Sequence, residues 1–427
     1  MSDPGHETET SATLKRTVGL FGAVVLGLGS IVGTGVFFSL ALVAESAGEF
    51  TLMAGLLAGL LALCNGLSSA QLAAAHPVSG GSYEYGYRYL NPKLGFLAGW
   101  MFLVAKGASA ATAAIVFAMY LSRLVPLLAK FDVKITATVA VVVMTGLVLS
   151  GLKRSVQVNS ILVGVSVLAL AAFVFHGLSI EVAPVAADAA KPFSAQRFLQ
   201  AAALMFVAFT GYGRVATMGE EIRDPARNIP IAIALTIAAS ALIYAAVAFV
   251  LVRIPGDGSS GASLVDLSPT APQWLRTLIV VGAVTAMLGV LMNLLLGLSR
   301  VVLAMARRGD LPPFFSVLSK NGESPNRAVL LVAAGSVSLI LIFEHPKMTW
   351  SLSAMTVLIY YATANLCALR QPVEERRIPK IVSLAGLGGC LALVIWIPFW
   401  FVGLVLIAVG LAWHVIAQRV LSWRGDS

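Results

Sequence analysis

Residues 27–38 read GLGSIVGTGVFF and residues 206–221 read FVAFTGYGRVATMGEE. Each sets glycines into an apolar run of the kind that crosses a bilayer. Glycine costs about 1 kcal/mol relative to alanine in a helix interior, so both stretches are weak points in a membrane helix. Backbone released from helical pairing survives at membrane depth only where it lines a cavity or lies buried in protein. Interrupted helices at corresponding places in two halves are the sequence mark of a transporter built from inverted repeats.

The composition around these stretches agrees. The chain has 427 residues, 58% hydrophobic and 11% charged, against about 25% charged in soluble domains. Its net charge of +9 comes from basic residues spread thinly between apolar blocks, which suits basic cytoplasmic loops and no nucleic-acid partner. Cys64, Cys367 and Cys390 fall inside apolar blocks, and neither they nor the five histidines have metal-ligand or disulfide spacing. No metal site, cofactor or catalytic constellation is expected, and hence no enzyme.

A span needs about 20 apolar residues. Twelve blocks qualify, near 17–44, 48–75, 94–121, 133–152, 156–178, 196–219, 229–252, 275–306, 326–343, 348–369, 380–396 and 399–418. With the N-terminus inside, nineteen of the 29 lysines and arginines fall on the cytoplasmic side and eight outside, while Lys106 and Arg214 fall within spans. This bias places both termini in the cytoplasm. The expected organisation is a disordered tail (1–14) without a signal peptide, a first five-helix repeat (15–178) and a second (196–370). A C-terminal helical hairpin (378–420), turning around Pro398, and a cytoplasmic tail (421–427) complete it. Outer segments 179–195 and 253–274 read as flexible caps. The short loops favour a compact transporter in a plasma membrane, of the bacterial inner-membrane kind.

Span 6 stands five spans after span 1, the separation a five-plus-five inverted repeat requires. Half-helix N-termini suit a carboxylate, whereas free carbonyls and half-helix C-termini suit an ammonium group or a cation. Together they match the zwitterionic head of an amino acid. Gly29–Gly33 also forms a GxxxG pattern that lets helices pack closely. Gly27 and Gly29 are therefore assigned to packing, and Gly33 and Gly35 to the break.

Four stretches resemble the amino acid–polyamine–organocation permeases: GLGSIVGTGVF of span 1, HPVSGGSYEYGYRYLNPKLGFLAGW (His76–Trp100), FVAFTGYGRVATMGEEIRDPARNIP (Phe206–Pro230) and GLSRVVLAMARRGDLPPFF (Gly297–Phe315). The resemblance covers most of the first ten spans. It implies an all-α LeuT-type five-plus-five fold with alternating access, moving an amino acid or related amine. Carried onto this sequence, the amides of Gly33, Thr34 and Gly35, next to Ile31, receive the carboxylate. The carbonyls of Phe209, Thr210 and Gly211 receive the amino group, and Tyr212 and Gly213 shape the side-chain pocket. Thr34 has a second reading, because threonine hydroxyls commonly bond back to helix carbonyls.

Ionisable residues inside a membrane are costly and functional. Every acid here falls in a loop or at a span end, so no carboxylate proton relay is expected. Lys106 lies within span 3 and is followed by small residues, Gly107 to Ala111, that allow close packing. It has three readings: a proton-coupling group, a fixed cation bonded to carbonyls of a broken helix, or a side chain snorkelling to an interface. The span 5 lysine of some relatives is replaced here by Ser166. Thr285 and Asn293 are polar candidates for a cation site in span 8. Arg214 stays protonated and is expected to pair with Glu220 or Glu221. If Arg214 and Lys106 both faced the pocket, an acidic substrate would fit. Symport, exchange, or export of acidic amino acids or polyamines remain open, with a channel or transporter-like sensor as the rival class.

Overall fold

The computed structural model describes residues 15–179, 193–253, 264–265, 271–319, 324–343, 345–398 and 400–425. The expected N-terminal tail and most of the two outer caps lie outside these residues. The described chain is helical: α1 (Leu20–Ile31), α2 (Leu40–Ala47), α3 (Thr51–Ala75), α4 (Ser82–Tyr89), α5 (Pro92–Leu124), α6 (Val133–Leu149), α7 (Leu152–Ser179), α8 (Ala195–Phe209), α9 (Gly213–Ala216), α10 (Pro225–Arg253), α11 (Gln273–Arg307), α12 (Asn326–Ile342), α13 (Pro346–Arg370), α14 (Lys380–Val394) and α15 (Phe401–Gly425). Extended pairing among the described residues is limited to the bridges Val18–Ile222 and Ser79–Met218. Among the described residues, seven helical stretches are long and apolar enough to cross a membrane, the first running from Leu20 to Ala75, and four more apolar helices are shorter. This is a multi-pass integral membrane protein.

Local chemistry sets the helix ends. Asn91 Oδ1 accepts the Leu94 amide at 2.9 Å with Pro92 at the first helical position, and Asp132 Oδ1 accepts the Lys134 amide at 2.8 Å. Gly48, at φ 56°, ends α2 in a conformation that side-chain-bearing residues avoid. One stretch departs from the sequence reading: Ser82–Tyr89, expected within a loop, forms the helix α4. Its Tyr83 and Tyr85 are buried while Arg88 stays exposed, so one face docks on the bundle.

Helices α5 and α11 are buried along most of their length and form the centre, while α7 turns apolar residues such as Ile161 and Leu168 outward. Small polar residues join the central helices. Ser109 meets Ser353 at 2.7 Å and Thr112 meets Thr349 at 2.7 Å along the α5–α13 seam, while Ser68 meets Ser383 at 2.9 Å between α3 and α14. Such contacts suit a bundle whose helices gain no hydrophobic drive from lipid. The small residues after Lys106 serve this packing.

Candidate substrate site

Both glycine-rich stretches are broken. Helix α1 stops at Ile31, passes through a tight turn in which the Gly33 amide donates to the Ile31 carbonyl at 2.9 Å, and resumes as a wide π-turn over Gly35–Ser39 before α2. Helix α8 stops at Phe209 and continues as a 3₁₀ turn, Thr210–Tyr212, into the single turn α9. The breaks touch. A Cβ on Gly211 would lie 2.6 Å from the Ser30 carbonyl oxygen, so only glycine permits this approach. The Tyr244 hydroxyl shares its proton between the Ile31 carbonyl at 2.8 Å and the Ala208 carbonyl at 3.0 Å, joining both breaks to α10.

Lys106 reaches the second break. Its Nζ donates to the Thr210 hydroxyl at 2.6 Å and the Thr210 carbonyl at 3.3 Å, and that hydroxyl donates in turn to the Val207 carbonyl at 2.7 Å. The Tyr361 hydroxyl reaches the same Thr210 carbonyl at 3.3 Å. At 4% exposure, Lys106 does not snorkel. Its amine is buried and bonded at the carbonyl end of an interrupted helix, where the dipole is negative.

Arg214 corrects the sequence reading. Glu221 is held by Arg300, Nη2 to Oε1 at 2.6 Å and Nε to Oε2 at 3.1 Å, while Glu220 takes Arg307 Nη1 at 3.0 Å and the Ser79 amide at 3.2 Å. Both acids already have basic partners from α11. Arg214 is 3% exposed, and among the described residues none of its three guanidinium nitrogens has a hydrogen-bond partner. Sequence distance brings the glutamates within reach, but the tertiary fold brings α11 arginines closer.

A cavity of about 10 Å³ joins Thr210, Gly211, Lys106 and Arg214 to Ser30, Phe102 and Asn293. The remaining expected residues lie elsewhere. Gly33 abuts the Ala286 carbonyl, Gly35 the Tyr244 ring and Ala208, and Gly213 the Tyr361 hydroxyl, while Phe209 lines an apolar groove with Gly59 and Tyr244. Gly27 and Gly29 pack closely, as expected, against Thr236 and against Asn159 and Asn293. Ser166 donates to the Leu162 carbonyl at 2.7 Å and meets Thr285 at 3.2 Å; Asn293 donates to Asn159 at 2.6 Å. Sequence spacing does not single out Tyr244, Tyr361, Phe102 or Ser30, because each is a single residue in an apolar helix. Their only sequence signal is a polar or aromatic group at membrane depth.

The three later motif stretches converge at one end of the bundle. The Glu221 carbonyl accepts the Thr17 and Val18 amides at 3.0 Å, and the Arg223 amide returns to the Val18 carbonyl at 2.8 Å. A Cβ on Gly219 would stand 2.6 Å from the Val78 amide nitrogen. Tyr83 and Tyr87 both donate to Asp310 at 2.6 Å, and Arg308 pairs with Glu84. Burial, and after it the Asp310 carboxylate, push both phenols above the usual tyrosine range, so they remain donors. Burial raises Glu84, with Arg308 opposing. These motifs form a latch joining the segment before α1, helix α4, the segment after α9 and the end of α11. The sequence model of the amino acid permease family matches residues 22–420.

The chain belongs to that family. This permease is 37% identical over 418 residues to an uncharacterized transporter of Mycobacterium tuberculosis (strain ATCC 25618 / H37Rv), covering 96% of this chain and 93% of the relative. It is 31% identical to a branched-chain amino acid permease of Bacillus subtilis (strain 168), over 74% of this chain and 73% of that one. It is 27% identical to a methylthioribose transporter of the same strain, over 96% and 95%. The permease is thus a membrane transporter for amino acids or related organocations.

Proposed function

We propose that this permease is a secondary active transporter that moves amino acids by alternating access, proton-coupled or as an exchanger. It has twelve spans, with residues 15–178 and 196–370 forming the inverted repeats of a LeuT-type fold and 378–420 the added hairpin. Its membrane is the plasma membrane, of the bacterial inner-membrane kind, with both termini cytoplasmic. The observation that carries this reading is the contact between the two interrupted helices. The two breaks meet through backbone carbonyls that take side-chain donors, Thr210 from the Lys106 amine and Ile31 from the Tyr244 hydroxyl.

The amides of Gly33, Thr34 and Gly35 receive the substrate carboxylate once the packing around them opens; the carbonyls of Phe209, Thr210 and Gly211 receive the amino group. Ile31, Tyr212 and Gly213 complete the wall. A substrate ammonium competes with Lys106 for the Thr210 carbonyl, so binding displaces or deprotonates that lysine, which makes Lys106 the coupling candidate. The latch lies on the side with more lysine and arginine, so the described state is closed toward the cytoplasm. The name of the branched-chain amino acid permease supports an amino acid cargo. Counterflow in proteoliposomes with labelled amino acids, at two pH values with and without sodium, tests the reading. Counterflow by none of the twenty would sink it.

A further inference from the structure

We propose that the cavity between α1, α5, the second break and α11 is an anion site whose receptor is Arg214. Its lining comprises Ser30, Phe102, Lys106, Thr210, Gly211, Arg214, Asn293 and three α11 neighbours, with no carboxylate among them. The guanidinium is 3% exposed and lacks any hydrogen-bond partner among the described residues, although it carries five N–H donors. Arginine stays charged in proteins, so it cannot relieve this burial by losing a proton. The two nearest acids along the chain, Glu220 and Glu221, are already held by Arg307 and Arg300.

Lys106 spends two hydrogen bonds on Thr210 and keeps a third N–H. Ser30 donates back to the Leu26 carbonyl, and Asn293 Nδ2 donates to Asn159 and Gly289. Among the described residues, Asn293 Oδ1 is the one side-chain acceptor on this wall without a hydrogen-bond partner. A water could accept from Arg214 and donate to Asn293, yet the charge would stay in excess, because Arg300 adds more to it than Glu221 offsets. The volume of about 10 Å³ admits one water-sized group, which suits a halide or a single carboxylate oxygen. Two sources share this chemistry: a side-chain carboxylate of an acidic amino acid entering as cargo, or free chloride. The cargo source rests on the transport reading above; the chloride source does not.

The experiment has two arms, on wild type, Arg214→Gln and Arg214→Lys. In the first, thermal unfolding of purified protein is followed in potassium chloride against potassium gluconate. In the second, uptake of labelled glutamate, leucine and arginine is compared in proteoliposomes. A chloride-dependent rise in melting temperature that Arg214→Gln removes and Arg214→Lys keeps assigns the free anion. A fall of at least about tenfold in the glutamate-to-leucine uptake ratio in Arg214→Gln, restored in Arg214→Lys, assigns the cargo carboxylate, since a charged hydrogen bond is lost. Wild type that neither responds to chloride nor takes up glutamate in preference to arginine overturns the proposal, whatever the variants do. If wild type moves no cargo, the transport reading fails, and the chloride arm still decides the site.

Discussion

Replacing Glu221 with Gln strips the charge from a carboxylate that is 1% exposed and leaves Arg300, at 0% exposure, without its counter-ion. In the native arrangement Arg300 donates to both carboxylate oxygens, at 2.6 and 3.1 Å, and to Ser299 Oγ at 3.0 Å. Two hydrogen bonds to a charged group, at about 1.5–3 kcal/mol each, give about 3–6 kcal/mol. Breaking one side of a buried pair costs about 3–5 kcal/mol by a separate route. The agreement sets the expected destabilisation of Glu221→Gln at about 3–5 kcal/mol. Unfolding by graded SDS in mixed micelles measures it, within a double-mutant cycle that adds Arg300→Met. The double variant should recover much of the loss, because no orphaned charge stays buried. Single variants unfolding within about 0.5 kcal/mol of wild type would refute the latch as a stabilising element.

Three further outcomes follow from the geometry. Lys106→Gln should change the dependence of uptake on external pH, and an unchanged profile would remove Lys106 as the coupling group. Gly211→Ala should abolish uptake or destabilise the fold by about 1–3 kcal/mol through overpacking, because its Cβ would strike the Ser30 backbone; Gly146→Ala, with nothing within 4 Å, is the tolerated control. If both alanine variants behave alike in uptake and unfolding, the contact between the breaks is not tight. His76, with burial and then Arg88 lowering its pKa, and Glu375, lowered chiefly by the Tyr89 hydrogen bond and then by Arg88, act in the same direction on acidification. Each binds protons less readily folded than unfolded. The His76 contribution is complete above its ordinary 6.5 and the Glu375 contribution above its ordinary 4.5, and each fades as pH falls through its lowered value. His76→Asn should flatten the loss of thermal stability below pH ~6.5, and a variant with the wild-type profile would show that His76 does not contribute.

Apolar runs and glycine spacing in the chain are enough to place the long helices and the two interruptions, though not α4. Apolar length and glycine spacing are local properties, and a helix that loses its pairing at Gly33 or Gly211 does so for reasons written within a few residues. The four motif stretches likewise marked the family. Partner choice was decided only in three dimensions. Glu220 and Glu221 stand within two turns of Arg214, yet they pair with Arg307 and Arg300, which lie 79 and more residues away in sequence. Lys106 meets Thr210 across 104 residues, and Tyr244 reaches Ile31 across 213. A buried charge takes whichever partner the packed helices bring within about 3 Å, and one-dimensional spacing does not encode which helix faces which. That is why Lys106 emerged bonded to the second break while Arg214, the residue expected to be paired, was left unpaired beside it.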